Sequence, residues 1–314
     1  MADVQRIGVI GAGMAGLACA RRLADAGLAP VVFDKGRGIG GRLATRRGTD
    51  GVQFDHGAQY VTARGEGFAA LLDAMWRAGA AAPWDDGSGR SHLVGTPGMS
   101  ALAKHLGAGL DVRQDAEVSG LRRSDVGWEM VVGTAIHRFD RIVLTAPAPQ
   151  VAALLGAGHP FGAELSVVRL DPCLTLMAAM DPAAPRPFVT RADDDDPLAW
   201  IANDATKPGR AGTACWVAQA GPAWSAAHLQ QDAAALAALM LPMLCDRLGV
   251  APGAVRYAAA HRWRYARVAV PLGRPFMRDA SGTLHAGGDW CLEARVEAAW
   301  LSGDAIARDI LEHA

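Results

Sequence analysis

Lysine is nearly missing from this chain of 314 residues: it occurs only at Lys35, Lys104 and Lys207, and arginine carries the rest of the basic charge, a pattern consistent with coding bias alongside abundant alanine. Acidic and basic side chains almost cancel, leaving a formal charge of −1, so no overall field recruits nucleic acid or an anionic membrane. Cysteine is sparse. Cys19, Cys173, Cys215, Cys245 and Cys291 are odd in number, widely spaced and never in a CxxC pair, which suits reduced thiols and suggests no metal site. No apolar run reaches the roughly 18 residues that a membrane-spanning helix requires, because glycine, proline or charge interrupts each one. The start, Met1-Ala2-Asp3-Val4, enters an apolar stretch without a basic segment or a cleavage site, so a cytoplasmic location is expected. Neither an internal repeat nor a low-complexity segment is found.

The chain has instead the composition of a folded protein, 51% hydrophobic and 20% charged, long enough to bury about three quarters of its unfolded surface. Ile7-Gly8-Val9-Ile10 reads as a buried parallel strand that runs into Gly11-Ala12-Gly13-Met14-Ala15-Gly16 and then a helix from Leu17 to Ala26. Each glycine has its own task in this turn: Gly11 tightens it, Gly13 opens the backbone to a pyrophosphate, and Gly16 lets helix and strand pack closely. The helix start adds unpaired N–H groups and partial positive charge for the phosphates. Gly27 ends that helix, Val31-Val32-Phe33 forms the next strand, and Asp34 closes it where a ribose-binding acid is expected. Its charge disfavours a 2′-phosphate.

Beyond Asp34 and Lys35 comes Gly40-Gly41-Arg42, and an acid followed by GGR resembles the two-dinucleotide-binding-domain flavoproteins, among them flavin amine oxidases, phytoene desaturase-like enzymes and renalases. That resemblance implies FAD, with Gly41 and Arg42 along its pyrophosphate and ribityl side. Phe54-Asp55-His56-Gly57-Ala58-Gln59-Tyr60 is similar to the DxGAQY stretch of renalase-like proteins, which implies that Ala58, Gln59 and Tyr60 lie near the isoalloxazine. His56 is given no catalytic role, since a polar residue satisfied in a turn accounts for it equally well. Asp111–Arg113, Ala116–Val118, Trp128–Val132 and Arg141–Leu144 read as short strands separated by turns, resembling the third strand and meander of FAD domains, where the backbone of Val118 would meet adenine. Thr145–Pro149, with two prolines, exits that region. Near the other terminus, Thr283–Trp290 reads as a strand ending in Gly287-Gly288-Asp289, followed by a helix with an apolar face of Val296, Ala299, Trp300, Gly303, Ile306, Ala307 and Ile310. By resemblance Gly288 and Asp289 bind the ribityl chain, while the backbone at Arg295 and Val296 faces the flavin; on the residues alone, Asp289 could equally cap the helix.

Fingerprints at both termini imply a discontinuous nucleotide domain, residues 1–60, 98–150 and 272–314, with residues 61–97 and 151–271 as a substrate domain over the flavin. The expected fold is α/β: a Rossmann-type FAD-binding domain with an inserted mixed sheet-and-helix domain, the amine oxidase or p-hydroxybenzoate hydroxylase-like architecture. Asp193–Asp196 reads as a solvated loop, because four contiguous carboxylates cannot converge on one metal. His261-Arg262-Trp263-Arg264-Tyr265 alternates with period two, placing His261, Trp263 and Tyr265 on one strand face and the arginines on the other; that face either lines an aromatic pocket or packs an ordinary core.

The strings HRWRYA, FDHGAQY and AGGDW together resemble bacterial renalases within the flavin amine oxidase superfamily. The resemblance implies an oxidase that takes hydride from the 2- and 6-dihydro isomers of NAD(P)H to FAD N5 and passes the electrons to O2, giving H2O2. His261, Trp263, Tyr265, Trp290 and Tyr60 are the expected substrate-orienting residues, with no proton abstraction assigned. The alternatives are an amine oxidase or desaturase of the same fold, a non-catalytic FAD-binding sensor, and a flavin-free NAD-dependent dehydrogenase. Amine oxidases of this kind often keep a lysine near flavin N5, and Lys207 is the only lysine in the inserted region.

Overall fold

Continuous runs such as Ile7–Ile10 and Arg141–Leu144, buried at every position and apolar except for the hydrogen-bonded Arg141, suit strands covered on both faces. In a computed structural model of the chain, which describes residues 5–210 and 214–313, these runs build a six-stranded sheet. The Met1–Val4 segment lies outside the described residues. Strand order is Phe276–Arg278, Leu284–Gly287, Arg141–Leu144, Ile7–Ile10, Val31–Phe33, Asp111–Arg113. All neighbours are parallel except the antiparallel pair at the first edge. Val9 sits opposite both Val32 and Val143, so the first strand lies inside the sheet, and Arg141–Leu144 joins it to the carboxyl-terminal strand Leu284–Gly287.

The glycine turn leads into the helix Met14–Asp25, which packs against the last helix, Val296–Glu312. Gly303 permits that approach: a Cβ there would stand 2.0 Å from the Ala15 carbonyl oxygen. The buried face of the last helix departs from the expected apolar stripe. Glu297, Ser302 and Asp304 are buried with Gly303, Ile306, Ala307 and Ile310, whereas Val296, Ala299 and Trp300 are only half-buried. The polar members face inward because each has a partner: Asp304 pairs with Arg22, Glu297 accepts the backbone N–H groups of Arg64 and Gly65, and Ser302 donates to the Pro275 carbonyl.

A three-stranded meander, Val118–Ser124, Gly127–Val132 and Ala135–Phe139, lies beside the large sheet. Ala116 and Glu117, expected in its first strand, precede it. Asp115 adopts φ 51° and the Ala116 N–H is donated to the Asp34 carbonyl, so this stretch closes the turn after Asp34 instead of joining a ladder.

The middle of the chain folds into a five-stranded sheet ordered Thr190–Ala192, Trp200–Asn203, Ala214–Gln219, Arg169–Met180, Val255–Val270. One face, including Leu174, Leu176, Trp216 and Ala218, packs on the helix Ala233–Leu248 through Leu236, Met240 and Leu244. The other face packs Met177, Ala179 and Val217 against Phe54. Burying those two faces fixes the register, since a one-residue slip would exchange them. Pro172 has no N–H to offer, and the pairing shifts there, from Asp171 opposite Arg267 to Cys173 opposite Trp263. The Asp193–Asp196 loop is less solvated than expected: Asp196 is buried between Arg191 and Arg247.

Candidate active site

Three turns remote in sequence meet at the end of the first strand. The Gly40 N–H donates to the Ala12 carbonyl at 2.7 Å, and Gly13 forms a bridge with Gly40, which lays the GGR loop along the glycine turn. Gly40 and Gly41, at φ +111° and +54°, hold the backbone shape that carries Arg42 inward. Its guanidinium then forks onto Asp289, Nη1 at 2.6 Å from Oδ2 and Nη2 at 2.7 Å from Oδ1, across 247 residues of chain. Nη1 also donates to the Ala266 carbonyl at 2.9 Å, in the irregular stretch opposite Pro172. Burial would lower the Arg42 pKa, but the Asp289 carboxylate outweighs it and holds the guanidinium above its usual value. The Arg42 carbonyl accepts from the Ala58 N–H at 2.8 Å, and a Cβ on Gly57 would stand 2.1 Å from that oxygen. Gly13, Arg42, Ala58 and Asp289 therefore belong to one contiguous surface.

The residues fit an extended dinucleotide. A Cβ on Gly16 would collide with the Gly11 carbonyl oxygen at 1.9 Å, so that glycine is required by the protein's own packing. A Cβ on Gly13 would meet no protein atom within 4 Å, so the space is open to a ligand. No side chain caps the helix Met14–Asp25, which leaves its first N–H groups for an anion. The Asp34 carboxylate holds the two turns, accepting from the Ala12 N–H at 2.6 Å and the Gly36 N–H at 2.7 Å, with lone pairs remaining for hydroxyl donors. Lys35 is exposed, and Val118 opens the meander strand. Arg295 is the N-cap residue of the last helix and donates to Thr62, with Val296 as the first helical residue. Asp289 is thus not that helix's cap.

A direct comparison separates the two glycine roles. Gly16→Ala is expected to unfold or misfold the chain, whereas Gly13→Ala should keep the melting temperature of the FAD-free protein within about 2 °C yet weaken FAD binding at least tenfold. Thermal melts of the apoproteins and FAD titrations measure both; equal FAD affinity in Gly13→Ala would remove the open position from the cofactor site.

Above the five-stranded sheet, the His56–Tyr60 segment crosses the strands. Trp200, Gln219, Thr175 and His261 stand opposite one another in a row across four neighbouring strands. His56 lies over one end, its ring centroid 4.8 Å from His261 and 5.1 Å from Trp263, and its carbonyl accepts from Trp263 Nε1 at 2.7 Å. The Gly57 carbonyl accepts from Gln219 Nε2 at 2.7 Å, and Tyr60 lies 6.0 Å from Trp200 at the other end. Burial lowers the pKa of His56 to about 4, helped by His261 and Arg46, and burial with Arg46 and Arg262 lowers that of His261. His56 is accordingly an uncharged imidazole at neutral pH, and His261 is biased the same way.

The five expected orienting residues do not form one set. His261 and Trp263 share a cluster with His56. Tyr60 belongs to a second group, with its ring 3.9 Å from His92, 6.0 Å from Trp200 and 6.4 Å from Trp84. Tyr265 is half-buried within the irregular stretch. Trp290 is a core residue: it is 1% exposed, packs in the cluster with Ile142 and Leu144, and donates Nε1 to the Ala146 carbonyl at 3.1 Å. Its position after Gly-Gly-Asp resembles a site residue, but the turn points its indole under the sheet, which corrects the expectation.

Sequence reading also missed a buried charge cluster beneath Gln59. Lys207, fully buried, places Nζ 2.7 Å from Asp204 Oδ1, 3.2 Å from Asp55 Oδ2 and 3.3 Å from Gln59 Oε1, and 5.1 Å from the Trp84 ring centroid. Arg210 pairs with the same two carboxylates. Burial works against ionising Asp55, but Lys207 and Arg210 prevail and lower its pKa; for Asp204, burial prevails and raises it, the split expected of two carboxyls sharing one pair of cations. Only the rarity of lysine singles out Lys207 in the sequence. Nothing in spacing identifies Asp204, Arg210, His92 or Trp200.

Among the described residues no group of His, Cys, Asp and Glu is placed to hold a metal, and no helix is long and apolar enough to cross a membrane. A family model described as NAD(P)-binding Rossmann-like domain matches residues 9–75, and one described as Flavin containing amine oxidoreductase matches residues 84–311. The chain is 29% identical to mouse renalase over 171 residues, 49% of this chain and 50% of that protein. It is 42% identical to 15-cis-phytoene desaturase of Synechococcus elongatus over 52 residues, 17% of this chain and 11% of the desaturase, so these matches span half or less of those curated relatives. Among solved structures, a candidate protoporphyrinogen oxidase from Exiguobacterium sp. 255-15 superposes with TM-score 0.81 at 13% identity, covering 99% of this chain and 100% of that one. Cyclohexylamine oxidase from Brevibacterium oxydans gives 0.74 at 13% identity, covering 99% of each chain. At these identities the likeness shows the fold: a Rossmann-type nucleotide domain joined to an amine oxidase-type sheet-and-helix region.

Proposed function

This chain belongs to the flavin-containing amine oxidoreductase family, an enzyme family whose cofactor here is FAD, and we propose that within it the protein acts as a renalase-like oxidase of the 2- and 6-dihydro isomers of NAD(P)H. FAD supplies the hydride acceptor, at N5, and the route for the electrons onward to O2, giving H2O2. The proposed cofactor residues are the Gly11–Gly16 turn, Asp34, Lys35, Gly41, Arg42, Ala58–Tyr60, Val118, Gly288, Asp289, Arg295 and Val296. In this reading residues 1–60, 98–150 and 272–314 hold the cofactor, and residues 61–97 and 151–271 cover it.

The observation that carries the substrate assignment is the aromatic cluster of His56, His261 and Trp263 with its depressed imidazoles. A dihydropyridine needs no base to release hydride, because its ring nitrogen lone pair drives the loss and aromaticity rewards it. The protein has to hold the ring and accommodate the pyridinium charge that develops. An uncharged His56 beside an indole does both, where an imidazolium would repel the product. Lys207, the only lysine of the inserted region, is fully buried and donates hydrogen bonds to Asp55 Oδ2 and Gln59 Oε1, with Asp204 Oδ1 2.7 Å away, so it is engaged by the protein's own groups.

Anaerobic mixing of the yellow holoprotein with the 6-dihydro isomer of NADH should bleach the flavin absorbance, with peroxide appearing on admission of air. Replacing His261 and Trp263 together by alanine should slow single-turnover bleaching about a hundredfold, the loss of ring orientation. Bleaching by primary or secondary amines with no response to the dihydropyridines would overturn the substrate assignment while leaving the family unchanged.

A further inference from the structure

Two arginines beside the His56–His261 cluster have no acid to answer them. Arg46 stands on the short strand Thr45–Arg47, opposite Phe54, and Arg262 follows His261 on the outermost strand of the five-stranded sheet. Both line a cavity of about 280 Å³ together with Gln231, Leu236, Ala260 and His261. Among the described residues neither guanidinium has a carboxylate partner. Asp232, next to Gln231, spends Oδ1 on the Ala235 N–H as the cap of the helix Ala233–Leu248 and does not line the cavity. The uncompensated charge acts on the neighbouring rings: after burial, Arg46 and Arg262 are what lower the His261 pKa, and at His56 burial, His261 and Arg46 outweigh Asp55. Another cavity shows the contrast. Beside the helices Met14–Asp25 and Val296–Glu312, a cavity lined by Arg21 and Arg22 also holds Asp25 and Asp304, which pair with them. There the protein supplies its own anions.

Arg262 is also held in place. Its Nη1 donates to the Leu229 and Gln231 carbonyls at 2.8 and 3.1 Å, which fixes the guanidinium and leaves the Nε and Nη2 hydrogens as a fork. Such a fork matches two oxygens of a phosphate, and little side-chain freedom is left to lose when it binds. Small-molecule pockets run from roughly 300 to 1,000 Å³, so this cavity suits a phosphate group with the first atoms of its carrier and is too small for a whole nucleotide.

We propose that Arg262, Arg46 and Gln231 form a binding site for a phosphate group, with the Arg262 fork as its anchor, Arg46 adding charge from a second strand and the Gln231 amide a neutral donor. The site goes beyond the dihydronicotinamide reading and does not depend on it. Phosphate reaches it from one of two sources, a phosphate carried by the molecule being oxidised or a separate phosphorylated ligand. The two differ in kinetics.

Calorimetric titration of the FAD-loaded protein with inorganic phosphate tests the site itself, since FAD then occupies the glycine turn. One saturable site with a Kd below about 5 mM is expected, weakened at least about tenfold in Arg46→Met and in Arg262→Met. Arg262→Met gives up two bonds to carbonyls; Arg46→Met breaks no ion pair within the described residues and serves as the second arm if the other variant does not fold. No saturable binding by the parent protein, or parent-like affinity in Arg46→Met, would overturn the proposal. Flavin bleaching then identifies the source. If the oxidised molecule carries the phosphate, inorganic phosphate competes with the 6-dihydro isomer of NADH, and Arg46→Met raises the KM of that isomer about tenfold without a like rise for 6-dihydronicotinamide riboside, which has no phosphate. If a separate ligand carries it, phosphate binds alongside both and competes with neither. Should no dihydropyridine bleach the flavin, the substrate assignment falls and the calorimetric result still decides the site.

Discussion

Arg42→Ala is expected to purify with little FAD and to rebind it at least about a hundredfold more weakly, close to 2.7 kcal/mol. The guanidinium is the link between the amino-terminal loop and the carboxyl-terminal turn, and it satisfies both oxygens of a carboxylate that is 6% exposed. Removing it leaves Asp289 buried without a counter-charge and the Ala266 carbonyl without its donor, so the turn must protonate or open. Lysine cannot repair this, because a point charge does not reproduce two parallel N–H bonds; Arg42→Lys should recover less than half of the lost binding energy. On the other side of the pair, each carboxylate oxygen keeps a lone pair after accepting from Arg42, enough to take a ribityl hydroxyl. Asp289→Asn preserves one acceptor and Asp289→Ala none, so alanine should release FAD more readily. Fluorescence titration of each apoprotein with FAD gives the constants. Parent-like affinity in Arg42→Ala would place the cofactor away from this pair, and with it the chemistry proposed above.

The order in which these parts could be seen in the sequence follows from how local each one is. Ile7–Ile10, the glycine turn and Val31–Phe33 announce themselves because strand burial, positive-φ glycines and helix start are all local, within about thirty residues. The Arg42–Asp289 fork spans 247 residues, and no spacing rule joins an arginine in a loop to an acid at the far end of the chain. Alternation along His261–Tyr265 agrees with the exposure of Arg262 and Arg264 and the half-burial of His261, Trp263 and Tyr265, but it could not supply partners, since His56 reaches His261 and Trp263 from the loop after Gln53–Asp55. The polar face of Val296–Glu312 was illegible for the same reason: Glu297 and Asp304 look solvent-bound until Arg64, Gly65 and Arg22 arrive from elsewhere. Trp290 misled because a tryptophan after a glycine turn has no periodicity to tell core from cleft. His92 and Trp200 carry no local signal at all; only their packing around Tyr60 brings them forward.

Lys207→Met should lower the unfolding free energy by about 3–5 kcal/mol, the loss expected when one member of a buried ion cluster is removed and its partners are left uncompensated. The cost arises from Asp55 and Asp204, both fully buried, which would have only Arg210 between them. Methionine fills nearly the same volume, so the loss is electrostatic in origin and not a cavity effect. Adding Asp204→Asn should then recover a large part of it, since one carboxylate facing one guanidinium restores the balance; the double-mutant cycle in urea isolates that coupling. The same variants separate an active lysine from a supporting one. Lys207 touches Gln59, and Asp55 accepts from the Met99 N–H and Thr45, so the cluster holds the segment that lies on Arg42 and over His261. A lysine serving only this scaffold predicts that Lys207→Met with Asp204→Asn, once refolded and loaded with FAD, reduces its flavin within about tenfold of the parent rate and with an unchanged pH profile. Loss of several orders of magnitude in that stabilised double variant, with FAD still bound, would instead make Lys207 a participant in the reaction and would favour the amine oxidase chemistry of the wider family.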